Sequence, residues 1–508
     1  MSEQTKSLWN ESVHLPSFPT LEESLEVDVG IVGAGITGIT AAYLLAKQGL
    51  KVALIETSQI LQGTTGHTTA KVTAQHGLIY DKLIKQFGVE NAKKYYQAAT
   101  EAKTLIENII QTHQIECHYT NENAYVYTNT DNYIEQIKNE MKAYDKLNIS
   151  GELTDNLPLD IPYQLAISMH DQAQFHPVQY LKAILEEAIA NDVHVFENTS
   201  AIDVEFNKKT AIMTANNQRI ICDYVIQASH YPFFDGQGFY PVRMYAEREY
   251  VLAIKTEKDF PGGMYINAET PTRSVRNIRL NGEDIWIIAG DSHKVGQGDQ
   301  KINYFKNLAK FAKDTFGPIK IINKWSAQDY TTIDGIPYIG TVSSAHDNVF
   351  VATGFNKWGM TNGTTAAKVI TDLIMKRRNE YSEFFAPTRS SFPNSIKPFI
   401  STNMNVTKEF IKGKFDTTKQ SISNIKTDQA IVTKIKGSRI GIYKDQQNNI
   451  HAVKTTCTHL GCEVSWNTTE RTWECPCHGS RFSYTGEVIQ GPAKEPLQTI
   501  DLNTDVEK

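Results

Sequence analysis

A glycine-rich turn between a buried strand and a helix constrains this chain most strongly. The strand reads VDVGIV from residue 27, and GAGITG at 33–38 follows it and opens a helix over 36–48. A second buried strand, KVALIE, occupies 51–56. Strand, turn, helix and strand in this order form a βαβ unit, whose crossover implies a parallel sheet. The first folded unit is therefore predicted to be an α/β domain.

The spacing of the glycines is typical of a dinucleotide site. Gly33 permits a tight turn, Gly35 lets the backbone approach a pyrophosphate, and Gly38 lets the helix lie close to the strand. Glu56 ends the second strand, where a carboxylate accepts hydrogen bonds from a ribose hydroxyl. A glycine-rich junction beside a solvated Glu56 is the alternative. The predicted contacts are Gly33, Gly35, Ile36, Thr37, Gly38 and Glu56.

Two later glycine-rich segments favour FAD over NAD. DGIPYIG at 334–340 and GFNKWGM at 354–360 occupy the end of the α/β region, where FAD often needs a second contact. The second segment precedes a helix that begins near residue 361, and its N-terminal dipole would stabilise negative charge on the reduced ring. The predicted contacts here are Gly354, Gly359, Met360 and Thr361.

Four segments together resemble the FAD-dependent oxidoreductases of the D-amino acid oxidase family, near the glycine and sarcosine oxidases. They are the βαβ unit at 27–56, YVIQAS at 224–229, TTIDGIPYIG at 331–340 and NVFVATGFNKWGMTNG at 348–363. The resemblance spans about 27–380. It implies a two-domain flavoprotein that oxidises a carbon–nitrogen bond by hydride transfer, with FAD held non-covalently or through a Cys or His link.

The chain departs from this resemblance at GTTGHTTAKVTAQHG, residues 63–77. Polar residues of this segment are candidates to line the isoalloxazine side of the site: His67, Thr68, Thr69, Lys71 and His76. The candidate catalytic residues are His67, Lys71 and Lys357, although a structural role competes for each. Candidates to bind a substrate carboxylate are Arg243, Arg273, Arg276 and Arg279, although a solvated surface explains most of them.

Four cysteines fall within 21 positions near the C-terminus. Cys457 and His459 form C-x-H, and Cys475 and His478 form C-x-x-H, with 15 residues between the two motifs. This set fits a [2Fe–2S] centre in which two histidines replace two cysteines on one iron. Zinc is the competing interpretation, because two Cys and two His also complete a tetrahedral site. A single residue between the first Cys and His is unusual for zinc, so the cluster is favoured.

Residues 427–502 resemble the Rieske proteins of cytochrome bc and bf complexes. The resemblance implies that Cys457 and Cys475 bind one iron and that His459 and His478 bind the other. It also implies a disulfide between Cys462 and Cys477, for which free, packed cysteines are the alternative. Ser480 matches a serine that bonds a bridging sulfide, whereas Phe482 stands where the complexes have a tyrosine. The loss of that donor predicts an intermediate potential within the Rieske range of about −150 to +300 mV.

The expected fold class is an α/β FAD-binding Rossmann-like domain interleaved with an α+β substrate domain and followed by a small all-β Rieske domain. Residues 1–26 are predicted to be an N-terminal extension, 27–385 the oxidoreductase, 386–425 a linker with a helix at 406–413, and 426–508 the Rieske domain. The expected FAD-binding parts are 27–80, 175–231 and 326–380. The expected substrate-domain parts are 81–174 and 232–325.

Composition and charge restrict the partners. With a net charge of −6, nothing in the composition suggests a general nucleic-acid binder. The uncharged stretch 29–46 is long enough for a membrane span, but its glycines and threonines disfavour one. No secretory signal is recognised at the N-terminus, so the expected location is the cytoplasm, with peripheral membrane contact as an alternative.

A flavin takes up two electrons and a Rieske cluster carries one, so their union predicts a two-to-one electron converter. Electrons are expected to pass from a small-molecule amine or amino acid through FAD and the cluster to an external protein or quinone. Two alternatives stay open. The Rieske module is a redox sensor or docking module in the first, and an external donor reduces the flavin through the cluster in the second.

Overall fold

The computed structural model describes residues 6–389 and 424–502. The helix predicted at 406–413 lies outside these residues, as does most of the predicted linker. Within the described residues, the helices are α1 (Leu8–Glu11), α2 (Ile36–Ala46), α3 (Tyr80–His113), α4 (Asp131–Leu147), α5 (Pro177–Ala190), α6 (Tyr240–Arg243), α7 (Tyr304–Phe316), α8 (Gly359–Ile374) and α9 (Ser382–Phe385). None of them has the length and apolar composition needed to cross a lipid bilayer.

The strands fall into a long first series and a short C-terminal one. The first series is β1 (Leu25–Val32), β2 (Val52–Ile55), β3 (Lys71–Val72), β4 (Thr120–Thr128), β5 (Gly151–Thr154), β6 (Leu165–Gln174), β7 (His194–Phe196), β8 (Ala201–Phe206), β9 (Thr210–Thr214), β10 (Arg219–Gln227), β11 (Met244–Thr256), β12 (Met264–Asn267), β13 (Arg273–Leu280), β14 (Glu283–Lys294), β15 (Ile319–Thr332), β16 (Tyr338–Ser343) and β17 (His346–Thr353). The C-terminal series is β18 (Gln429–Ile435), β19 (Ser438–Lys444), β20 (Ile450–Lys454), β21 (Ser465–Asn467), β22 (Thr472–Glu474), β23 (Arg481–Ser483) and β24 (Val488–Gln490).

The glycine-rich turn leads from a parallel sheet. Its order is β16-β17-β10-β1-β2-β7, and β8 and β9 extend it at β10. The pairs β1–β2, β1–β10, β2–β7 and β10–β17 are parallel, as the βαβ pattern predicts. Helices α2, α5 and α8 pack together beside this sheet. The turn after β1 therefore lies at the carboxyl ends of the central strands, where α/β sheets bind their ligands.

A larger mixed sheet stands beside the parallel one. Its order is β15-β11-β14-β13-β12-β4-β6-β3, with β5 paired to β6. Its strands come from two stretches of the chain, 71–174 and 244–332, and the strands of the parallel sheet come from three, which produces the interleaving expected from the sequence. The C-terminal series forms two smaller antiparallel sheets, β18-β19-β20 and β21-β22-β23-β24.

Two strands belong to a sheet other than the one implied by the predicted division into FAD-binding and substrate-domain parts. β3 lies inside the predicted FAD-binding part 27–80, yet it pairs with β6 of the mixed sheet. β15 crosses residue 326, where a new FAD-binding part was expected, and it pairs along its length with β11 of the mixed sheet. Each of these strands pairs with a strand that is distant in the sequence, which local patterns do not reveal. The exact bounds of the FAD-binding and substrate-domain parts stay a prediction.

The N-terminal segment packs into the first domain rather than extending from it. Trp9 has no exposed surface, and its Nε1 donates to the Thr68 carbonyl at 2.7 Å. Its ring lies 5.0 Å from that of His176, and the Arg276 guanidinium lies 5.1 Å from the ring centre. Ser7 Oγ donates to the Gly66 carbonyl at 2.5 Å. This segment therefore supports the loop that follows β2.

Replacement of Trp9 by alanine is expected to lower the free energy of unfolding by about 3–5 kcal/mol, because it empties a fully buried site. Trp9→Phe keeps most of the ring and loses the hydrogen bond, so a smaller loss is expected. Urea unfolding followed by circular dichroism measures both. Phe239→Ala, at a side chain that is 64% exposed, is the control and should change the value by about 0.5 kcal/mol or less. Equal effects of Trp9→Ala and Phe239→Ala on the free energy of unfolding would contradict the conclusion that Trp9 is packed in the interior and supports the loop after β2.

Candidate flavin and iron–sulfur sites

The turn after β1 brings three backbone segments into contact. Gly33 has φ +107°, and a Cβ at this residue would lie 2.5 Å from the Ala228 carbonyl oxygen. A Cβ on Gly38 would lie 1.9 Å from the Gly33 carbonyl oxygen. Both positions therefore require glycine. Gly35 has no side chain to cap α2, so the N–H groups that follow that of Ile36 in the first turn can bind an anion.

The Glu56 carboxylate lies beside this turn. It accepts hydrogen bonds from the Ala34 N–H at 3.0 Å and the Ser58 N–H at 3.2 Å. Burial raises the pKa of Glu56, and these backbone donors oppose the rise. Thr65 Oγ1 accepts from the Ile36 N–H at 3.1 Å, which draws the loop after β2 over the helix N-terminus. These residues fit the ribose and pyrophosphate of a dinucleotide.

The start of α8 lies against the start of α2. A Cβ on Gly363 would lie 2.8 Å from Thr37 Oγ1, so the two helices approach closely there. Trp358 caps α8 without a side-chain hydrogen bond, and Gly359 and Met360 follow it. Thr361 Oγ1 contacts His76 Nε2 at 3.0 Å, and the His76 ring stacks on Trp358 at 4.8 Å. The N-termini of α2 and α8, whose N-cap residues make no side-chain hydrogen bond, therefore lie close together.

Lys71 is buried in β3, the edge strand of the mixed sheet. Its Nζ donates to the Tyr265 carbonyl at 3.0 Å. Burial, together with the charge of Arg276, lowers the pKa of Lys71 to about 7 against the opposing effect of Glu249. A lysine of this kind exchanges a proton near neutral pH. Its catalytic role stays a prediction.

Lys357 lies in the loop before α8, with φ +72°. Its Nζ is 3.8 Å from Glu247 Oε2, and its backbone N–H donates to Asp329 Oδ2 at 2.5 Å. Burial opposes the charged form, but Glu249, Glu247 and Asp329 together raise the pKa of Lys357. Lys357 is thus held as a cation. Because Glu249 acts on both lysines, the fold brings them into one electrostatic neighbourhood.

His67 and the two threonines after it are held by backbone contacts. His67 Nδ1 contacts the Gly63 carbonyl at 2.8 Å, and the His67 carbonyl accepts from Trp325 Nε1 at 2.8 Å. Burial lowers the pKa of His67, and the charges that act on it belong to Glu470, Arg248 and Arg481. Its side chain therefore lies toward the C-terminal domain. Thr68 Oγ1 accepts from the Ala70 N–H at 2.9 Å, and the Thr69 carbonyl accepts from Arg276 Nε at 2.5 Å.

Three of the four candidate arginines use their guanidinium groups within the protein. Arg276 donates to the Thr69 and Phe175 carbonyls and to Gln174. Arg273 pairs with Asp291 at 2.9 Å, and Arg243 donates to the Gly238 and Pro387 carbonyls. Arg279 is exposed on the hairpin of β13 and β14. The first three are structural, which the sequence did not distinguish.

Two loops of the C-terminal domain bring the predicted cluster ligands together. In the first loop, the Cys457 N–H donates to the Cys462 carbonyl at 2.7 Å. In the second, the Cys475 N–H donates to the Ser480 carbonyl at 2.8 Å. A disulfide between Cys462 and Cys477 joins the loops, with the Cα atoms 6.5 Å apart.

The two histidines face each other across these loops. Their ring centres are 5.1 Å apart and their planes are perpendicular. Nδ1 of His459 and Nδ1 of His478 are buried without a hydrogen-bond partner among the described residues. A buried ring nitrogen without a partner is costly, so both atoms fit metal ligation. Burial lowers the pKa of both rings, to about 4 for His478, which keeps them neutral and able to bind.

The two ligand thiols also meet. Hydrogen bonding from Cys475 lowers the pKa of Cys457 to about 6, with help from the His459 N–H and the Ser480 hydroxyl. The sulfur atoms of Cys462, Cys475 and Cys477 lie within 4.8 Å of one another, but the disulfide removes two of them from ligation. The donors that remain are two thiols and two imidazoles, the set of a Rieske [2Fe–2S] centre.

Comparison with known proteins agrees with both sites. Residues 28–373 match the family described as FAD dependent oxidoreductase (DAO), which spans more than half of the chain. The chain belongs to the FAD-dependent oxidoreductase family. Residues 418–501 match the Rieske [2Fe-2S] domain. The predicted cofactors, FAD and a [2Fe–2S] cluster, are thereby confirmed, and the zinc alternative is not supported.

Individual relatives cover the whole chain or one of its domains. The Bacillus subtilis (strain 168) protein YhfW, whose name describes a Rieske 2Fe-2S iron-sulfur protein, is 45% identical over 501 residues, 99% of this chain and 98% of YhfW. A cytochrome b6-f complex iron-sulfur subunit of Desmonostoc sp. (strain PCC 7906) is 40% identical over 79 residues, 15% of this chain and 44% of the subunit. The crystal structure of glycine oxidase from Geobacillus kaustophilus matches 72% of this chain and 99% of its own at 16% identity with a TM-score of 0.62, a likeness of fold.

The Rieske domain docks on the oxidoreductase domain through buried charges. Arg248 of β11 lies 3.0 Å from Glu470 and 3.3 Å from Glu474. Arg481 lies 2.9 Å and 3.5 Å from the same two carboxylates. Burial opposes ionisation of Glu470, but Arg481 and Arg248 hold its pKa down to about 2. Two positive and two negative side chains thus neutralise one another inside the interface, and we call them the charge cluster.

Polar contacts next to the charge cluster reach the ligand loop itself. Gln328 Nε2 donates to the Gly479 carbonyl at 2.9 Å, and the Tyr330 hydroxyl donates to the His478 carbonyl at 3.2 Å. A Cβ on Gly479 would lie 2.5 Å from Ala246 Cβ. Sequence reasoning missed these residues. The local sequence of β11 and β15 does not show which face of each strand meets another domain.

Arg248→Met should lower the free energy of unfolding by about 3–5 kcal/mol, because it leaves a surplus buried carboxylate in the charge cluster. Urea unfolding followed by flavin fluorescence measures the loss. Lys85→Met is the matched control, since Lys85 is 68% exposed in its pair with Asp81 and exposed pairs contribute about 1 kcal/mol or less. A loss with Arg248→Met no larger than with Lys85→Met would refute the buried pairing.

Lys71→Met tests the shifted lysine through the pH dependence of stability. The folded pKa of about 7 lies below the unfolded value of about 10.4, so the unfolded chain binds more protons between these pH values. Stability of the unmodified protein should therefore gain up to about 1.4 kcal/mol per pH unit from this group between pH 7 and 10, and the variant should lack that gain. Urea unfolding at pH 7, 8 and 9 measures the two slopes. Parallel slopes would show that Lys71 is not shifted.

Proposed function

We propose that this protein is a dehydrogenase that oxidises the carbon–nitrogen bond of an amine or amino acid. Electrons then leave one at a time through the Rieske cluster to an external protein or quinone. Bound FAD supplies a two-electron hydride acceptor, and the cluster supplies a one-electron carrier. The observation that carries the proposal is the direct docking of the ligand loop on the strand that borders the flavin region.

A continuous line of contacts supports transfer between the two cofactors. Tyr330 donates to the His478 carbonyl, and its ring lies 4.8 Å from that of His230. His230 Nε2 contacts Asp329 Oδ1 at 2.9 Å, and Asp329 Oδ2 accepts the Lys357 N–H. Lys357 lies two residues before the start of α8. Bonded and packed groups therefore connect a cluster ligand to the helix that faces the flavin.

The states of Lys71 and Lys357 support an amine or amino acid substrate. Neutral Lys71 can accept a proton from a substrate ammonium, because its pKa is about 7. Lys357 stays charged and can attract a carboxylate. Arg276, Arg273 and Arg243 are occupied within the protein, so a carboxylate clamp by these residues is not part of the proposal.

The edge of the cluster at His459 offers an exit for electrons. Leu460 is 57% exposed and follows His459 directly. The His459 ring is half-buried, so the cluster edge lies close to the surface there. An external acceptor that binds at this edge would approach a ligand of the cluster. A cytoplasmic location remains part of the proposal.

Anaerobic titration with a panel of amines and amino acids tests the relay. A substrate should first bleach the flavin absorbance. The EPR signal of a reduced Rieske centre, at g ≈ 1.9, should then appear, because electrons are proposed to pass from the flavin to the cluster. Dithionite serves as the control that the cluster is reducible. A flavin that bleaches while the cluster stays oxidised would favour the sensor hypothesis instead. Cluster reduction by an external donor that then bleaches the flavin would favour the reverse flow.

Cys457→Ala removes one cluster ligand and should separate the two half-reactions. We expect substrate to bleach the flavin still, because the substrate region lies in the other domain, while turnover with a one-electron acceptor falls at least tenfold. Stopped-flow absorbance and steady-state assays measure the two steps. Cys222→Ala, at a buried cysteine of the parallel sheet, is the control and should retain both flavin bleaching by substrate and turnover with the one-electron acceptor. Unchanged turnover in a cluster-free Cys457→Ala protein would overturn the relay.

A further inference from the structure

Tyr231 of the oxidoreductase domain stands directly at the cluster site. It lies four residues after the end of β10, in a turn closed by its own N–H, which donates to the Ser229 carbonyl at 2.8 Å. Its ring centre is 6.2 Å from that of His459, in a perpendicular arrangement, and 5.2 Å from that of Tyr330. The two tyrosines thus approach both ligand loops from the flavin side.

The hydroxyl of Tyr231 has no hydrogen-bond partner among the described residues, and its oxygen is buried. A buried hydroxyl without a partner costs about 1–3 kcal/mol, so an acceptor is expected nearby. Burial raises the pKa of Tyr231, and Tyr330, Asp235 and Cys475 raise it further through their charges. Among these, Cys475 is a predicted cluster ligand. The neighbouring Tyr330 hydroxyl is already engaged with the His478 carbonyl.

The Rieske domain itself provides different donors at its two ligand sulfurs. The Ser480 hydroxyl interacts with Cys457, whereas the interactions found at Cys475 include the backbone N–H groups of His478 and Cys477. Phe482 is fully buried behind the loop and carries no hydroxyl. A sulfur that bears negative charge in the assembled centre is an acceptor for an O–H group, and such charge-assisted bonds are the stronger ones.

We propose that Tyr231 donates a hydrogen bond to the cluster at the Cys475 sulfur. The oxidoreductase domain thereby sets part of the cluster's reduction potential, because a donor to sulfur stabilises the reduced, more negative state. The inference depends on cluster binding and on the docked interface, and it is independent of the substrate and of the direction of electron flow.

Tyr231→Phe removes the hydroxyl and keeps the ring. We expect the equilibrium constant for one-electron reduction of the cluster to fall about tenfold, which corresponds to a potential lower by about 59 mV. A dithionite titration of the holoprotein with redox mediators, followed by EPR, measures the potential without substrate. Tyr240→Phe is the matched control: its hydroxyl is also buried without a partner among the described residues, and its neighbours are Arg243, Asp235 and Tyr338 rather than a cluster ligand.

A second measurement separates a hydrogen bond from a general change of packing. Pulsed EPR of the reduced protein in D₂O should show an exchangeable deuteron near the cluster, and Tyr231→Phe should lose its coupling while Tyr240→Phe retains it. An unchanged potential in Tyr231→Phe, or an equal shift in both variants, overturns the inference. Because neither readout uses substrate, failure of the electron relay would leave these results unaffected.

Discussion

The buried charge cluster of Arg248, Glu470, Glu474 and Arg481 is the constraint on which the rest of the structure depends. A buried charge is costly without partners, and Arg248 of the oxidoreductase domain supplies the second cation for Glu470 and Glu474, so docking completes the pairing. Glu474 ends β22 and Arg481 begins β23, and the second ligand loop lies between them. The ion pairs therefore hold both ends of the loop that carries Cys475 and His478. The same ion pairs that join the two domains therefore also position the ligands of the cluster.

The other half of this arrangement rests on β15. Gln328 uses its side chain to bind the Gly479 carbonyl, while its own carbonyl accepts from Thr64 in the loop after β2. The Tyr330 hydroxyl contacts the ligand loop, while its carbonyl accepts from the Asn356 N–H ahead of α8. One strand thus touches the flavin region through its backbone and the cluster domain through its side chains. A displacement of β15 would alter both sites, which gives the two cofactors a common frame.

Patterns within a few neighbouring residues were sufficient to predict secondary-structure elements and the types of cluster ligand. The glycine spacing predicted the turn that leads into α2, and the helix expected near residue 361 corresponds to α8, which begins at Gly359. The C-x-H and C-x-x-H motifs predicted the types of ligand because the Cys and His of each motif are close together in the sequence. Long-range contacts were missed for the opposite reason. Trp9 was assigned to an extension, yet its partners include Thr68 and Trp325; Arg276 was a candidate for substrate, yet it holds the Thr69 carbonyl.

By itself, the sequence determined that this chain has a dinucleotide turn and a Cys/His cluster site, because steric limits on glycine and the bonding preferences of iron act over short spacings. Only the tertiary structure decided how the two sites face each other. It brought Tyr231, Tyr330 and the charge cluster to the ligand loops from residues that lie far away in the chain. The reason is physical: burial and ion pairing depend on which surfaces meet in space, and local periodicity carries no record of that choice.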